Sequence, residues 1–474
     1  MRPATRPRFA ISVLFAAVLG GCALQTPPDT QQLARSELTH AQPPVAWKAG
    51  SASTVPAAVR DGWLADFGDP QLVALADEAL RYNLDLRAAA ARVQTAKVAV
   101  KLADGALFPT VGLTARTSGQ AVGADGQLSG FVLSAIWELD LWGRIRYGQS
   151  AAQDVYASAQ ADAHFARESI VATLATAWFV AAQAVRQQQL AAQMSAAAQQ
   201  LVTLARQRER VGVGSQVDVA QAQANLQSNR DVERQIDAAL LQSRRALEVL
   251  LGRYPAAEIA LPSTLSHLPA PVAGGVPSEL LDRRPDVTAA ALRVSAAFAR
   301  VGEARAARLP SISLTAALSS INSSVFDLKN VDNPSLGLGA SLLYPVFAGG
   351  RLAAQVEYRT AEQQEAGAAF ARTALRAFNE VEAALASEAS LARREPLLRQ
   401  SLADSEHALE LERQRYKVGS RDLRSVTQLQ MAALAAQLPL LKVQTEQRVQ
   451  RVQLHLALGT SFAPADAMVP VAIR

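Results

Sequence analysis

The chain has 474 residues, half of them hydrophobic but only 5% aromatic, and alanine dominates the apolar share. Its formal net charge falls from +5 to +2 once Arg2, Arg6 and Arg8 are set aside with the first 21 residues, so the basic balance points to no nucleic-acid partner. Cys22 is the single cysteine, which excludes an intrachain disulfide and a cysteine-built metal site; beyond the start, no run approaches 18 uninterrupted apolar residues, which argues against membrane-spanning helices.

Residues 1–21 read as a signal peptide: three arginines, a short apolar core from Phe9 to Leu19, then Gly20 and Gly21. Leu19-Gly20-Gly21-Cys22 looks like a bacterial lipobox, which implies cleavage before Cys22 and lipid on its sulfur and amine; several acyl chains make a stable anchor. Residues 22–68 are rich in Pro, Ser, Thr and Gln and read as an extended tether pinned by Trp47, Trp63 and Phe67. Asp69-Pro70 then caps a helix predicted over 71–103.

After Phe108-Pro109 the apolar period changes from 3.6 to 2, which predicts strands at about 108–117 and 129–139 around a Gly-rich turn. From 144 to 210 there is no proline and helical spacing persists, so a single helix approaching about 100 Å is expected. Val211-Gly212-Val213-Gly214 breaks it, Ser215 or Asp218 caps a return helix over 217–251, and a Pro-rich linker at 261–283 leads to a helix over 284–307. Strands at about 310–320 and 335–346, a helix over 350–417, a turn at Val418-Gly419 and a helix over 422–458 repeat the pattern, with 461–474 as a tail.

The repetition is explicit. Arg206-Gln207-Arg208 matches Arg413-Gln414-Arg415 and Leu251-Gly252 matches Leu458-Gly459 at one offset of 207, while Phe108-Pro109 matches Leu309-Pro310 at 201. Six extra residues therefore lie between Pro310 and Gly350, assigned to a longer loop in the second hairpin. The chain is two structural repeats, 69–260 and 284–460.

Ten-residue strands with one apolar face suit the 9 to 11 tilted residues that cross a bilayer, and Trp137, Trp142 and Tyr344 at strand ends suit an interfacial aromatic girdle. Four strands cannot close alone, and open edges are not tolerated in lipid, so several copies must join; eight strands make too narrow a channel, and three chains give twelve.

The lipobox, GDPQLVALADEALRYNLDLRAAAARV, SAIWELDLWGRIR, LLDRRPDVTAA, ARLPSISLTAAL, YPVFAGGRL and the two VG…LG hairpins together resemble the TolC family of outer-membrane efflux proteins, in particular its NodT-type lipoprotein branch. The resemblance covers residues 60–460. It implies an α+β membrane protein: a homotrimer whose twelve-stranded β-barrel sits in outer-membrane lipid and continues as an α-barrel of long antiparallel helices across the periplasm. It further implies an exit duct that docks a periplasmic adaptor and an inner-membrane pump, of the proton-driven resistance-nodulation-division type, with no cofactor. Outer-membrane duty in type I protein secretion, or a lipid-anchored coiled-coil scaffold, are the alternatives.

The same resemblance places a periplasmic constriction at the hairpin tips marked by Gly212, Gly214 and Gly419. Its positions here are Asp218, Arg421, Asp422, Ser425 and Gln428, whereas the family archetype carries carboxylates where Ser425 and Gln428 stand. Three copies of Asp218 give a negative ring favouring cations, and Asp218 is equally placed to cap the helix that starts beside it. Pro396 and Pro439 fall inside the second pair of long helices only, 23 and 20 residues from Gly419, and read as a hinge at one height. Five scattered histidines and the absence of hydrolase, metalloprotease and P-loop motifs speak against an enzyme.

Overall fold

The computed structural model describes residues 24–49, 60–117, 128–272, 274–323, 334–418 and 423–463. Cys22, Gly419, Arg421 and Asp422 lie outside the described residues. The helices are α1 Thr30–Glu37, α2 Trp63–Asp66, α3 Pro70–Tyr82, α4 Leu84–Gly105, α5 Arg144–Arg210, α6 Gln216–Leu250, α7 Leu280–Arg283, α8 Pro285–Ala306, α9 Arg351–Lys417 and α10 Leu423–Ala457. The strands are β1 Thr110–Thr117, β2 Leu128–Leu139, β3 Ser311–Ser323 and β4 Ser335–Leu343. Both predicted long helices appear at 67 residues each.

Two compact units emerge. One draws on the chain up to Gln42, Ala91–Ala161 and Asp286–Thr373. It holds one antiparallel sheet in the order β1-β2-β3-β4. The register aligns Leu113, Leu133, Leu318 and Leu336 in a single row across all four strands, and Val111, Ala135, Ala316 and Leu338 in the next row on the same face. The opposite face carries Thr114, Ser319, Ser335, Gly112, Ser134 and Gly337, with Val132 and Ile136 of β2 among them, and the Ser319 and Ser335 hydroxyls bond at 2.8 Å. A period of two thus sorts the sheet into one apolar and one small, polar side. The apolar side is exposed, Leu338 at 80% and Leu113 at 68%, as a lipid-facing surface must be.

Two strand expectations shift. The strand expected to reach residue 346 stops at Leu343, since Pro345 has no N–H to donate to a ladder. β3 runs on to Ser323, beyond its expected end at residue 320, and the hairpin loop assigned the six extra residues lies outside the described residues.

Beside the sheet, α8 buries Val287, Ala290, Val294, Ala297 and Val301. Ser295 Oγ donates to Asp154 at 2.6 Å, fixing α8 against α5.

The other unit draws on Pro43–Ala90, Asp162–Pro285 and residues from Ala374 onward. Its core gathers Trp63, Phe67, Leu72, Trp178, Phe179, Leu247 and Val452. Asp69 bonds both the Leu72 N–H at 3.1 Å and Trp178 Nε1 at 2.8 Å, so one carboxylate starts α3 and seats the largest core ring. The helix expected over 71–103 is broken at Asn83. Its side chain donates to the Leu250 carbonyl at 2.9 Å and accepts from the Asp85 and Leu86 N–H groups, ending α3 and capping α4 at once.

One 18-residue window of α5 is apolar enough to cross a membrane by length and composition, at mean hydropathy 1.4, but 56% of it is buried inside the chain. That burial accounts for its apolar character through packing.

Candidate functional site

The turn between α5 and α6 is built locally. Gly212 takes φ +76°, a left-handed conformation that glycine adopts at no steric cost, and the Val213 N–H returns to the Arg208 carbonyl at 2.9 Å. Gly214 is forced by crowding: a side-chain carbon there would stand 2.9 Å from Arg208 Cβ. Ser215 then caps α6, its hydroxyl accepting the Asp218 N–H at 3.2 Å while the Asp218 carboxylate accepts the Ser215 N–H at 3.2 Å. This is a reciprocal capping box.

The remaining carboxylate oxygen of Asp218 accepts from Arg424 at 3.1 Å. Arg424 belongs to α10, so this bond joins the two helical hairpins near their tips. Hydrogen bonds from the Ser215 backbone and hydroxyl, and then Arg424, hold the Asp218 carboxyl below the usual carboxylate range. Asp218, Arg424, Arg208, Asn225 and Gln428 line a small recess of about 60 Å³. Gln428 is therefore brought to Asp218. Ser215 is the N-cap of α6 and Asp218 the third-residue partner in its capping box, while the Asp218 charge is paired within the chain with Arg424.

Arg424 was not singled out from the sequence. Its signal was the repeat itself: at the offset of 207, Val217-Asp218 stands where Arg424-Ser425 stands, so opposite charges occupy neighbouring positions in the two copies.

Pro396 and Pro439 sit inside α9 and α10, which are helical on both sides of them. Glu395, next to Pro396, accepts from Gln444 at 3.4 Å and Gln447 at 3.1 Å. The two prolines are therefore not level: Pro439 lies about one to two turns nearer the tip than Pro396, because its own helix reaches Glu395 only at Gln444. Between them and the first hairpin, Leu190 packs with Leu434 and Leu441.

In the unit that holds the sheet, Trp137 Nε1 donates to the Leu107 carbonyl at 2.9 Å and Trp142 Nε1 to the Pro310 carbonyl at 2.7 Å. Both indoles keep an apolar body and a satisfied polar tip, the arrangement that suits a membrane–water boundary. The Gln25 N–H donates to the Tyr147 hydroxyl at 3.0 Å, bringing the start of the described chain to the first turn of α5.

A family profile described as outer membrane efflux protein matches residues 75–253 and 276–460. The probable efflux pump outer membrane protein TtgC of Pseudomonas putida is 30% identical over 464 residues, covering 94% of this chain and 93% of the relative. The pyoverdine export outer membrane protein OpmQ of Pseudomonas aeruginosa is 30% identical over 462 residues, covering 93% and 94%. Among solved structures, the outer-membrane channel OprN superposes with a TM-score of 0.78 at 26% identity, covering 94% of this chain and 99% of that one.

Proposed function

The chain belongs to the outer membrane efflux protein family, and from that premise we propose that it is the exit duct of a tripartite pump, assembled from three copies and held in the outer membrane by its sheet and a lipidated Cys22. It is an outer-membrane efflux channel. The observation that carries the trimer is the sheet: one apolar face, with β1 and β4 each paired on one side only among the described residues. Such edges must pair with other copies before the sheet can stand in lipid. The lipid anchor is supported by the sequence Leu19-Gly20-Gly21-Cys22.

The hairpin tips serve as the gate and the docking end for a periplasmic adaptor coupled to a proton-driven resistance-nodulation-division pump. Asp218, Arg421, Asp422, Ser425 and Gln428 surround the constriction, and Pro396 and Pro439 give the second hairpin its hinge. The choice of cargo is assigned to the pump and adaptor; among the relatives, one is named for toluene efflux and another for pyoverdine export.

Site-specific photo-cross-linking from Gln216 in cells tests the reading. Capture of a periplasmic adaptor of a proton-driven pump supports it. Capture of an adaptor of an ATP-driven exporter moves the chain to protein secretion, and silence at Gln216 and at neighbouring control sites sinks the docking end. Labelled palmitate retained by the intact chain and lost in Cys22→Ala tests the anchor.

A further inference from the structure

The two repeats differ at the foot of the sheet in a way that exposes one cation. In the first copy, Arg144 makes a two-pronged bond to the Glu138 carboxylate at 3.1 and 2.8 Å, and Arg146 bonds Asp140 at 3.1 Å. The offset of 207 carries Arg144 onto Arg351, but it carries Glu138 onto Pro345 and Asp140 onto Phe347. The arginine is retained and both acids are gone. Arg351 is exposed, and its guanidinium makes no hydrogen bond or ion pair among the described residues.

A cavity of about 250 Å³ contains both arginines. Of the four strand residues that line it, Glu138, Ser311 and Leu343 stand in register positions of the polar face and Leu139 in the apolar row. Three of the four therefore place the cavity mainly on the side of the sheet opposite the leucine row. Asp140 also lines it, its charge taken up by Arg146 at 3.1 Å, and the rest of the wall is apolar, with Trp142, Leu309 and Pro345 beside the charges.

We propose that this recess is a binding subsite for the anionic group of an amphiphilic cargo, with a carboxylate or phosphate taking on Arg351 the place that Glu138 takes on Arg144. A guanidinium offers two parallel N–H donors that match such a group, and Glu138 on Arg144 is the internal template for that geometry. Because Arg144 is already neutralised, the charge available to a ligand is that of Arg351. The apolar wall selects for a hydrophobic body on the same molecule, and the volume approaches the lower end of ligand clefts, about 300 Å³. The inference rests on the duct reading only in taking the polar face as the cargo's side.

The test is calorimetric titration of the full-length trimer in detergent with 1-naphthoate and, as its uncharged counterpart, 1-naphthylmethanol. Naphthoate is expected to bind about tenfold more tightly than the alcohol, a difference typical of one charge-assisted pair. Arg351→Gln, and separately Pro345→Glu, which restores the acid of the first copy, should each erase that difference and leave the alcohol unaffected. Equal binding of the two probes, or naphthoate binding unchanged in both variants, overturns the proposal. Dissociation of the Arg351→Gln trimer on a native gel also overturns it, since the guanidinium then belongs to a contact between copies. Binding that persists in a protein unable to restore drug resistance to a deletion strain would count against the duct and not against this subsite.

Discussion

The Asp218 carboxylate and the Arg424 guanidinium meet at 3.1 Å although 206 residues of chain separate them. Each belongs to a different helical hairpin, and each sits within the first two turns of its helix. An exposed pair of this kind contributes little to folding, being screened by solvent. Its consequence is positional: it ties the two hairpins together near their tips, and a weak tie is what the gate proposed above needs in order to open.

Breaking that tie is expected to loosen the closed state without unfolding the protein. Arg424→Ala and Asp218→Asn should raise the resting conductance of single channels in planar bilayers by several-fold, and the exchanged pair Asp218→Arg with Arg424→Asp should recover most of the wild-type level. Because the Asp218 carboxyl is held below the usual carboxylate range, first by Ser215 and then by Arg424, the tie is present above the ordinary carboxylate pKa and lost only as pH falls through the lower folded value. Resting conductance should therefore stay flat from pH 7 to pH 5. A rise in that interval would show that another group controls closure.

The prolines give a second expectation. A proline inside a helix costs about 3 kcal/mol relative to alanine and removes one ladder bond. Replacing Pro396 and Pro439 together by alanine should raise the thermal unfolding temperature and reduce the frequency of opening, with the single replacements giving intermediate records. The stagger set by Glu395 and Gln444 would spread the proposed hinge over more than one turn. Identical closed and open levels and lifetimes in the double variant would remove the hinge from the account.

Much of this architecture was legible because it is written at short range. The period-two stretches gave four strands in nearly the right places, and the long runs of helical spacing gave α5 and α9 almost to the residue. Asn83 was missed because a lone asparagine only mildly disfavours a helix; what ends α3 is the Leu250 carbonyl, 167 residues away. Arg424 was missed for the same reason, since its meaning depends on which hairpin tips come together. Arg451 likewise looks like one more helix arginine, yet it is buried, bonds Glu388 at 2.6 Å and reaches the carbonyls of Pro269 and Ala270, anchoring the Pro-rich linker to α10.

A buried cluster predicts a bounded pH range of stability. Burial pushes the Glu168 carboxyl up to about 7, even though the Ser461 hydroxyl and the Phe462 N–H both donate to it. Burial, and then Arg451, push the His455 imidazole down to about 3, and its ring stacks on Trp63 at 5.5 Å. A carboxyl raised in the fold loses stability as pH climbs from its unfolded value, near 4.5, through 7. A histidine lowered in the fold loses stability as pH falls below its unfolded value, near 6.5. Thermal unfolding followed by circular dichroism should therefore peak near pH 5 to 6 for these two groups. Glu168→Gln should lift the alkaline side by roughly 2–3 kcal/mol and leave the acid side alone. If the variant melts like wild type at pH 8, the carboxyl is not the group that limits stability there.

The two faces of the sheet can be told apart by a single charge. Leu113 lies in the leucine row with Leu133, Leu318 and Leu336, whereas its neighbour Thr114 lies in the polar row with Ser319 and Ser335. A lysine on a lipid-facing strand position near the bilayer midplane costs about 2–4 kcal/mol, and one facing water costs little. Leu113→Lys should therefore reduce the amount of trimer recovered from outer membranes and lower its resistance to urea in liposomes, while Thr114→Lys should leave both close to wild type. Three copies per barrel multiply the penalty at position 113, so even a shallow position should give a measurable loss. Equal tolerance of both lysines would mean that the leucine row does not face lipid, and the sheet would then have to bury that row against protein.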